Sequence, residues 1–190
     1  MPAPSANSPV DRLTAVFARA QALGALGTWP IPEVLAHARE FVTALPTSTE
    51  RVLDLGSGAG VPGLVIACER PELTVTLVDR RERRTDELVR AVTSLELTGR
   101  VTVVTADATA LVALPDWVAS QDAVVARGFG EPETTLLLAA RLTRPGGVVI
   151  ISEPPSDQPS RWQPAWLAAA GVSAPERHGR VARFHVEQHR

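Results

Sequence analysis

Arg51–Gly63 reads RVLDLGSGAGVPG, and this stretch decides the fold. A short apolar run, Val52, Leu53 and Leu55, carries one acid, Asp54, and then breaks into Gly56, Gly58, Gly60 and Gly63. Pro62 opens the helical run LVIACE, because proline fits a first helical turn where its missing N–H costs nothing. The pattern predicts a strand, a tight glycine loop and a helix start. Glycine reaches positive φ and lets a ligand approach the backbone closely. Such a unit is a nucleotide-type binding site in an open α/β sheet.

Charge selects the nucleotide. Gly58, Gly60 and Gly63 match the dinucleotide spacing G-x-G-x-x-G. In dinucleotide enzymes that loop cradles a pyrophosphate, which a neighbouring carboxylate would repel. Here Asp54 stands two residues before the first glycine. A carboxylate there suits a cationic ligand, and S-adenosylmethionine (SAM) has an ammonium, a sulfonium and no phosphate. The competing readings are NAD(P) and a ligand-free turn.

Outward from the loop, strand and helix alternate regularly, which predicts a parallel sheet. The second strand, Leu73–Val78, ends in Asp79, 19 residues beyond Gly60, near the spacing that places a carboxylate on ribose hydroxyls. A plain helix cap is the alternative for Asp79. A helix Glu82–Leu97 follows, its start crowded with Arg80, Arg81, Arg83 and Arg84, either a solvated face or a contact for RNA phosphate. The third strand is Val101–Thr105. After it, Asp107 can accept from an adenine amino group while Ala108 and Thr109 offer backbone N–H groups, or Asp107 caps a short helix through Leu114. The fourth strand, Asp122–Ala126, ends in Arg127 and then Phe129. Arg127 suits a methionine carboxylate, a substrate phosphate or base, or an internal salt bridge, and Phe129 either stacks on a base or packs. A helix Glu131–Leu142, a turn Arg144–Gly147 and an apolar fifth strand Val148–Ser152 come next.

The flanks are plainer. Residues 1–8 read as disordered. Ser8 then caps a first helix with Pro9 in its first turn and Leu13, Val16, Phe17, Ala20 and Leu23 at helical spacing. A second helix runs about Pro32–Leu45 and bears His37, ordinarily a surface histidine. Both helices cover the sheet or form a lid. Beyond the core, Glu153–Pro164 is a proline-rich polar loop, residues 165–170 a short helix, and Gly171–Ala174 and Arg180–Glu187 the last two strands. The expected architecture is one Rossmann-like α/β domain over residues 1–190. It has a seven-stranded, mostly parallel sheet with helices on both faces and two N-terminal helices. Residues 9–46 form those helices, 51–152 the SAM-binding core and 153–190 the C-terminal loop, helix and strands.

Composition narrows the class. The 190 residues are 45% hydrophobic and 21% charged, ordinary for a soluble globular protein. No apolar run nears the roughly 20 residues that span a bilayer, and no secretory start is visible, so a cytoplasmic location is expected. The single cysteine, Cys68, reads as a buried, inert thiol. A net charge of −2 announces no global basic field. All 19 basic residues are arginine, which genome composition explains better than function. No metal-ligand constellation is evident, and the sequence singles out no catalytic residue.

Val52–Gly63 with its Val61-Pro62-Gly63 ending, Pro71-Glu72, Leu77–Asp79 with Arg83-Arg84, Ala126-Arg127 and Leu142–Gly147 together resemble class I SAM-dependent methyltransferases. Within that class, residues 32–152 look most like the glucose-inhibited division protein B family, which methylates guanine N7 in small-subunit ribosomal RNA. The resemblance implies SAM as cofactor, with Gly56 and Val61 in the loop, Ala108 and Thr109 at the adenosine, and Arg127 at the ligand. It also matches His37 to a histidine of the helix before the sheet, with Glu40 where an aspartate is usual. Two pieces depart: an Asn-Leu-Thr segment is absent, and Ser152-Glu153-Pro154-Pro155 replaces a lysine that would meet phosphate, Glu153 being a charge that repels it. The implied partner is ribosomal RNA or the small ribosomal subunit, without membrane or metal. Methyl transfer to guanine N7 needs no general base, so positioning supplies most of the catalysis. The alternatives are a methyltransferase for a small molecule or protein, and a non-catalytic SAM-binding paralogue.

Overall fold

The computed structural model describes residues 8–154 and 160–188. The disorder expected for residues 1–8 therefore falls, apart from Ser8, outside the described residues. So does the middle of the proline-rich loop.

Helix α1 (Pro9–Ala22) begins as its sequence dictates. Ser8 accepts from the Asp11 N–H while Asp11 accepts from the Ser8 N–H, a reciprocal capping box. Helix α2 (Ile31–Ala44) buries Val34, Leu35, Ala38 and Phe41. Then come β1 (Arg51–Leu55), α3 (Gly63–Glu69), β2 (Thr74–Asp79), α4 (Glu82–Ser94), β3 (Val101–Thr105) and α5 (Ala108–Leu111). The chain continues through β4 (Gln121–Ala126), α6 (Pro132–Leu142), β5 (Thr143–Ser152), α7 (Pro164–Ala170), β6 (Glu176–His178) and β7 (Val181–His185).

The seven strands form one sheet in the order β3-β2-β1-β4-β5-β7-β6. Strands β1 to β5 pair in parallel, and β7 returns antiparallel to β5. Alternation along each strand splits the core into two layers. Val52, Ala123, Val125, Val148 and Ile150 face α1 to α4. Leu53, Leu55, Val124, Val149 and Ile151 face α5 to α7. The long apolar strands are therefore buried on both faces, as parallel strands are.

Several boundaries differ from expectation. Pro62 sits one residue before α3, as its N-cap, and Gly63 is the first helical residue. Helix α4 stops at Ser94, not Leu97, because Glu96 turns to φ +60 and the Leu97 N–H returns to the Val92 carbonyl. The short helix after Asp107 ends at Leu111, not Leu114. The turn expected at Arg144–Gly147 lies inside β5, as a bulge where the register jumps from Gln121↔Thr143 to Ala123↔Val148. Gly171–Ala174 is no strand: only Val172 bridges to Val186. The real edge strand is β6, whose charged residues Glu176, Arg177 and His178 hide it from an apolar pattern search; such charges suit an exposed edge.

Candidate functional site: a crevice at the strand ends

The order of strands reverses between β1 and β4. Crevices open at the carboxyl ends of strands at such a switch point. Because β3, β2, β1 and β4 are neighbours, their ends set Asp107–Thr109, Asp79, the Gly56–Val61 loop and Arg127 in one row. Residues far apart in the chain thus share an edge.

The loop is built from below. Asp54 is fully buried, and its Oδ2 accepts from the Gly63 N–H at 2.9 Å. Its other oxygen, Oδ1, is buried without a partner among the described residues. Burial pushes this carboxyl up to about 7, against the downward pull of the Gly63 N–H, Ser57 and Arg127. Asp54 therefore anchors the start of α3, and any effect of its charge on a ligand passes through the loop. Gly60 turns at φ +89, a region costly for any side chain, and packs on Leu64 and Leu88. Phe129 closes against Gly56, so its ring packs on the loop.

The remaining side chains are arranged by local turns. Asp79 is 5% exposed. Its Oδ2 accepts from the Gly58 N–H at 3.0 Å and from Arg84 at 3.3 Å, and its Oδ1 from the Arg81 N–H at 2.9 Å. Arg81, not Asp79, is the N-cap residue of α4. Asp107 is exposed and caps α5, its Oδ1 accepting from the Thr109 N–H and hydroxyl. These hydrogen bonds hold the Asp107 carboxyl below its usual range. Thr109 has thus spent its N–H, contrary to the expectation that it is offered to a ligand. Gly56, Gly58, Val61 and Ala108 lie where the sequence pattern put them, along the loop and at the foot of α5.

Arg127 is half-buried and has no hydrogen bond or ion pair among the described residues. Burial lowers its pKa, while Asp54 pulls it back up. An unneutralised, partly desolvated guanidinium is costly unless something anionic meets it.

His37 is more than a surface residue. It stacks obliquely on Phe41 with ring centroids 5.6 Å apart, and its Nε2 lies 3.4 Å from the Arg180 carbonyl. Burial, with Arg180 and Arg127 close by, drops its pKa below the ordinary value. Glu40, one turn along, accepts from the Arg180 N–H at 2.6 Å and from its Nε at 3.2 Å. His37 and Glu40 therefore fasten the β6–β7 turn beside the crevice. Sequence reasoning missed Arg180, because a contact spanning 140 positions leaves no local signal.

Glu153 corrects a second expectation. Its side chain is only 5% exposed and accepts from Arg161 Nε and Trp162 Nε1, both at 3.0 Å, with Arg177 at 3.9 Å. Its charge is offset inside the protein and does not confront an incoming phosphate. Cys68 is half-buried, and burial raises its thiol pKa, as an inert thiol requires. Among the described residues no cluster of metal-ligating side chains occurs, and no helix is long and apolar enough to cross a membrane.

Known proteins resemble this chain. The family described as rRNA small subunit methyltransferase G matches residues 32–156. A protein named ribosomal RNA small subunit methyltransferase G from Sorangium cellulosum is 33% identical over 129 residues, covering 65% of this chain and 53% of that protein. Its namesake in Novosphingobium aromaticivorans is 37% identical over 140 residues, covering 72% of this chain and 58% of that one. The chain thus spans just over half the length of these relatives. Among solved structures, an O-methyltransferase of neocarzinostatin biosynthesis, in complex with S-adenosyl-L-homocysteine and 1,4-dihydroxy-2-naphthoic acid, superposes with a TM-score of 0.64. It is 16% identical, covers 94% of this chain and 59% of that chain, and so speaks for the fold. With the matched segment running from α2 to the end of β5 and enclosing every crevice residue from His37 to Arg127, the chain belongs to the GidB family, rRNA small subunit methyltransferase G.

Proposed function

We propose that this protein is a cytoplasmic SAM-dependent methyltransferase that methylates guanine N7 in small-subunit ribosomal RNA. The observation that carries the reading is the family match over residues 32–156, which contains the whole crevice.

The crevice fits SAM on its own chemistry. Arg127, a half-buried cation without a partner among the described residues, would take the methionine carboxylate. Asp79 would hold the ribose hydroxyls through its Oδ1, which accepts only from the Arg81 N–H and has a second lone pair to offer. Asp107 keeps one oxygen free for the adenine amino group, and Ala108 offers its N–H. Gly56, Gly58, Gly60 and Val61 bring backbone close to the ligand, and Asp54 beneath them favours positive charge once ionised. The bound cofactor supplies an electrophilic methyl group on a sulfonium. Guanine N7 carries a free lone pair, so this chain's residues need remove no proton before attack. Their task is to hold the acceptor in line and exclude water. With Glu153 offset by Arg161 and Arg177, the repulsion that favoured a small-molecule or protein acceptor is gone.

The test is methyl transfer from labelled SAM to small ribosomal subunits of a strain lacking its own enzyme, with mass mapping of the modified nucleotide. N7-methylguanosine in the small-subunit RNA is expected. Label in metabolites or protein but in no RNA would overturn the reading.

A further inference from the structure

The arginines divide into those the fold uses and those it does not. Most described arginines face a carboxylate. Among the described residues, those without one are Arg80, Arg81, Arg83, Arg100, Arg127 and Arg141. Arg100 instead donates to the carbonyls of Ala67, Arg70 and Leu73. Arg127 belongs to the crevice. Arg141 lies in the last turn of α6, where a cation complements the helix dipole. The three that remain stand together and exposed between β2 and the first turn of α4. There the helix dipole opposes positive charge, so their placement works against stability.

Arg81 and Arg83 line a groove of about 1120 Å³ between α1, the glycine loop and α4, and Arg80 adjoins them in the chain. Five arginines and three acids line it, in a chain whose net charge is −2. Glu87, the acid on the same stripe of α4 as Arg83 and Arg90, is shared between Arg90 and Arg19 of α1. The floor is apolar, with Val16, Ala20, Leu88 and Ala91, and one end reaches Gly58 and Ala59 of the loop. On the other flank of the crevice, Arg161, Arg177, Arg180 and Arg183 are all committed to Glu153, Glu40 or Glu176.

We propose that the α1–α4 groove is where the RNA backbone docks, with Arg80, Arg81 and Arg83 contacting phosphates beside the bound cofactor. This rests on the RNA reading above and assigns it a side of the molecule. A basic track over an apolar floor suits a single strand, and the groove leads that strand to the glycine loop. It lacks an aromatic platform, so it contributes backbone affinity and not base choice.

The test uses the full chain and small-subunit RNA. The triple variant Arg80→Gln/Arg81→Gln/Arg83→Gln spares Arg84, which holds Asp79. A control, Arg39→Gln/Arg51→Gln/Arg141→Gln, removes equal charge elsewhere. RNA affinity is measured between about 50 and 200 mM salt, with SAM affinity by calorimetry and thermal unfolding alongside. Each single-strand phosphate contact adds about 0.7 to the slope of log affinity against log salt, so the variant should lose about 2. Its RNA affinity should fall at least about tenfold near physiological salt, with SAM affinity within about twofold and thermal stability equal or higher. A variant that keeps the wild-type slope while the wild type methylates RNA refutes the groove alone, as does an equal loss in the control. A wild type that neither binds nor methylates RNA refutes the groove and the function together.

Discussion

Asp54→Asn isolates the carboxylate beneath the glycine loop. In the folded chain this group titrates near 7, against an ordinary 3.8. Between those values the unfolded state has released a proton that the folded state keeps. Stability must then fall as pH rises from about 4 to about 7, and level off above. One pKa unit between the folded and unfolded states corresponds to about 1.4 kcal/mol, so from pH 5 to pH 8 the wild type should lose roughly 3 kcal/mol through Asp54. Asparagine cannot titrate. Its oxygen can still accept from the Gly63 N–H, while its amide donors enter the buried place where Oδ1 has no partner among the described residues, so a donor left unpaired there costs about 1–3 kcal/mol independent of pH. The diagnostic is therefore the slope and not the offset. His37, whose folded pKa is depressed, contributes the opposite trend, stability that is lost as pH falls, but does so in both proteins and cancels from the difference. Urea unfolding at pH 5, 6, 7 and 8 gives both curves. The variant should gain on the wild type by roughly 3 kcal/mol across this range. Parallel curves would show that Asp54 is ionised in the folded protein throughout, and would refute its neutralisation by burial.

Other perturbations follow from the same contacts. Gly63→Ala places a methyl group on Leu77 and 2.6 Å from Asp54 Oδ2, so about 1–3 kcal/mol of stability should be lost in chemical denaturation, and wild-type stability would contradict the tight seat seen at the start of α3. Arg127→Gln should weaken SAM binding about tenfold or more in calorimetry with no loss of thermal stability; unchanged affinity would mean that this guanidinium meets some other anion. Glu153→Ala strips Arg161 and Arg177 of their shared counterion and should lower stability by about 1–3 kcal/mol while leaving the salt slope of RNA binding within error, because its charge is already offset. Ser8→Ala removes one half of the capping box and should cost about 1 kcal/mol, visible as faster hydrogen exchange at the start of α1.

The sequence by itself determined the order of elements from α1 to β5, and with it the kind of site. Local rules suffice for that: Ser8 and Pro9 start a helix, short apolar runs such as Val52–Leu55 make strands, and a glycine run after a strand forces a tight loop. The Val52–Gly63 string, together with Leu77–Asp79, Ala126-Arg127 and Leu142–Gly147, also carried the resemblance to the family. Tertiary structure alone decided what several charged residues do. Asp54 looks like a ligand-facing acid in the chain but lies sealed under the loop, because burial depends on α3 packing over it. Thr109 looks free until Asp107 turns back to cap α5. Glu153 reads as a repulsive charge until Arg161 and Arg177, brought together by the sheet edge, enclose it. The arginines show the limit most clearly. All of them look alike in sequence, and only the fold, by pairing most with carboxylates from distant elements, leaves Arg80, Arg81 and Arg83 uncommitted beside the glycine loop. Electrostatic partnership acts through space, and a linear pattern carries no record of it.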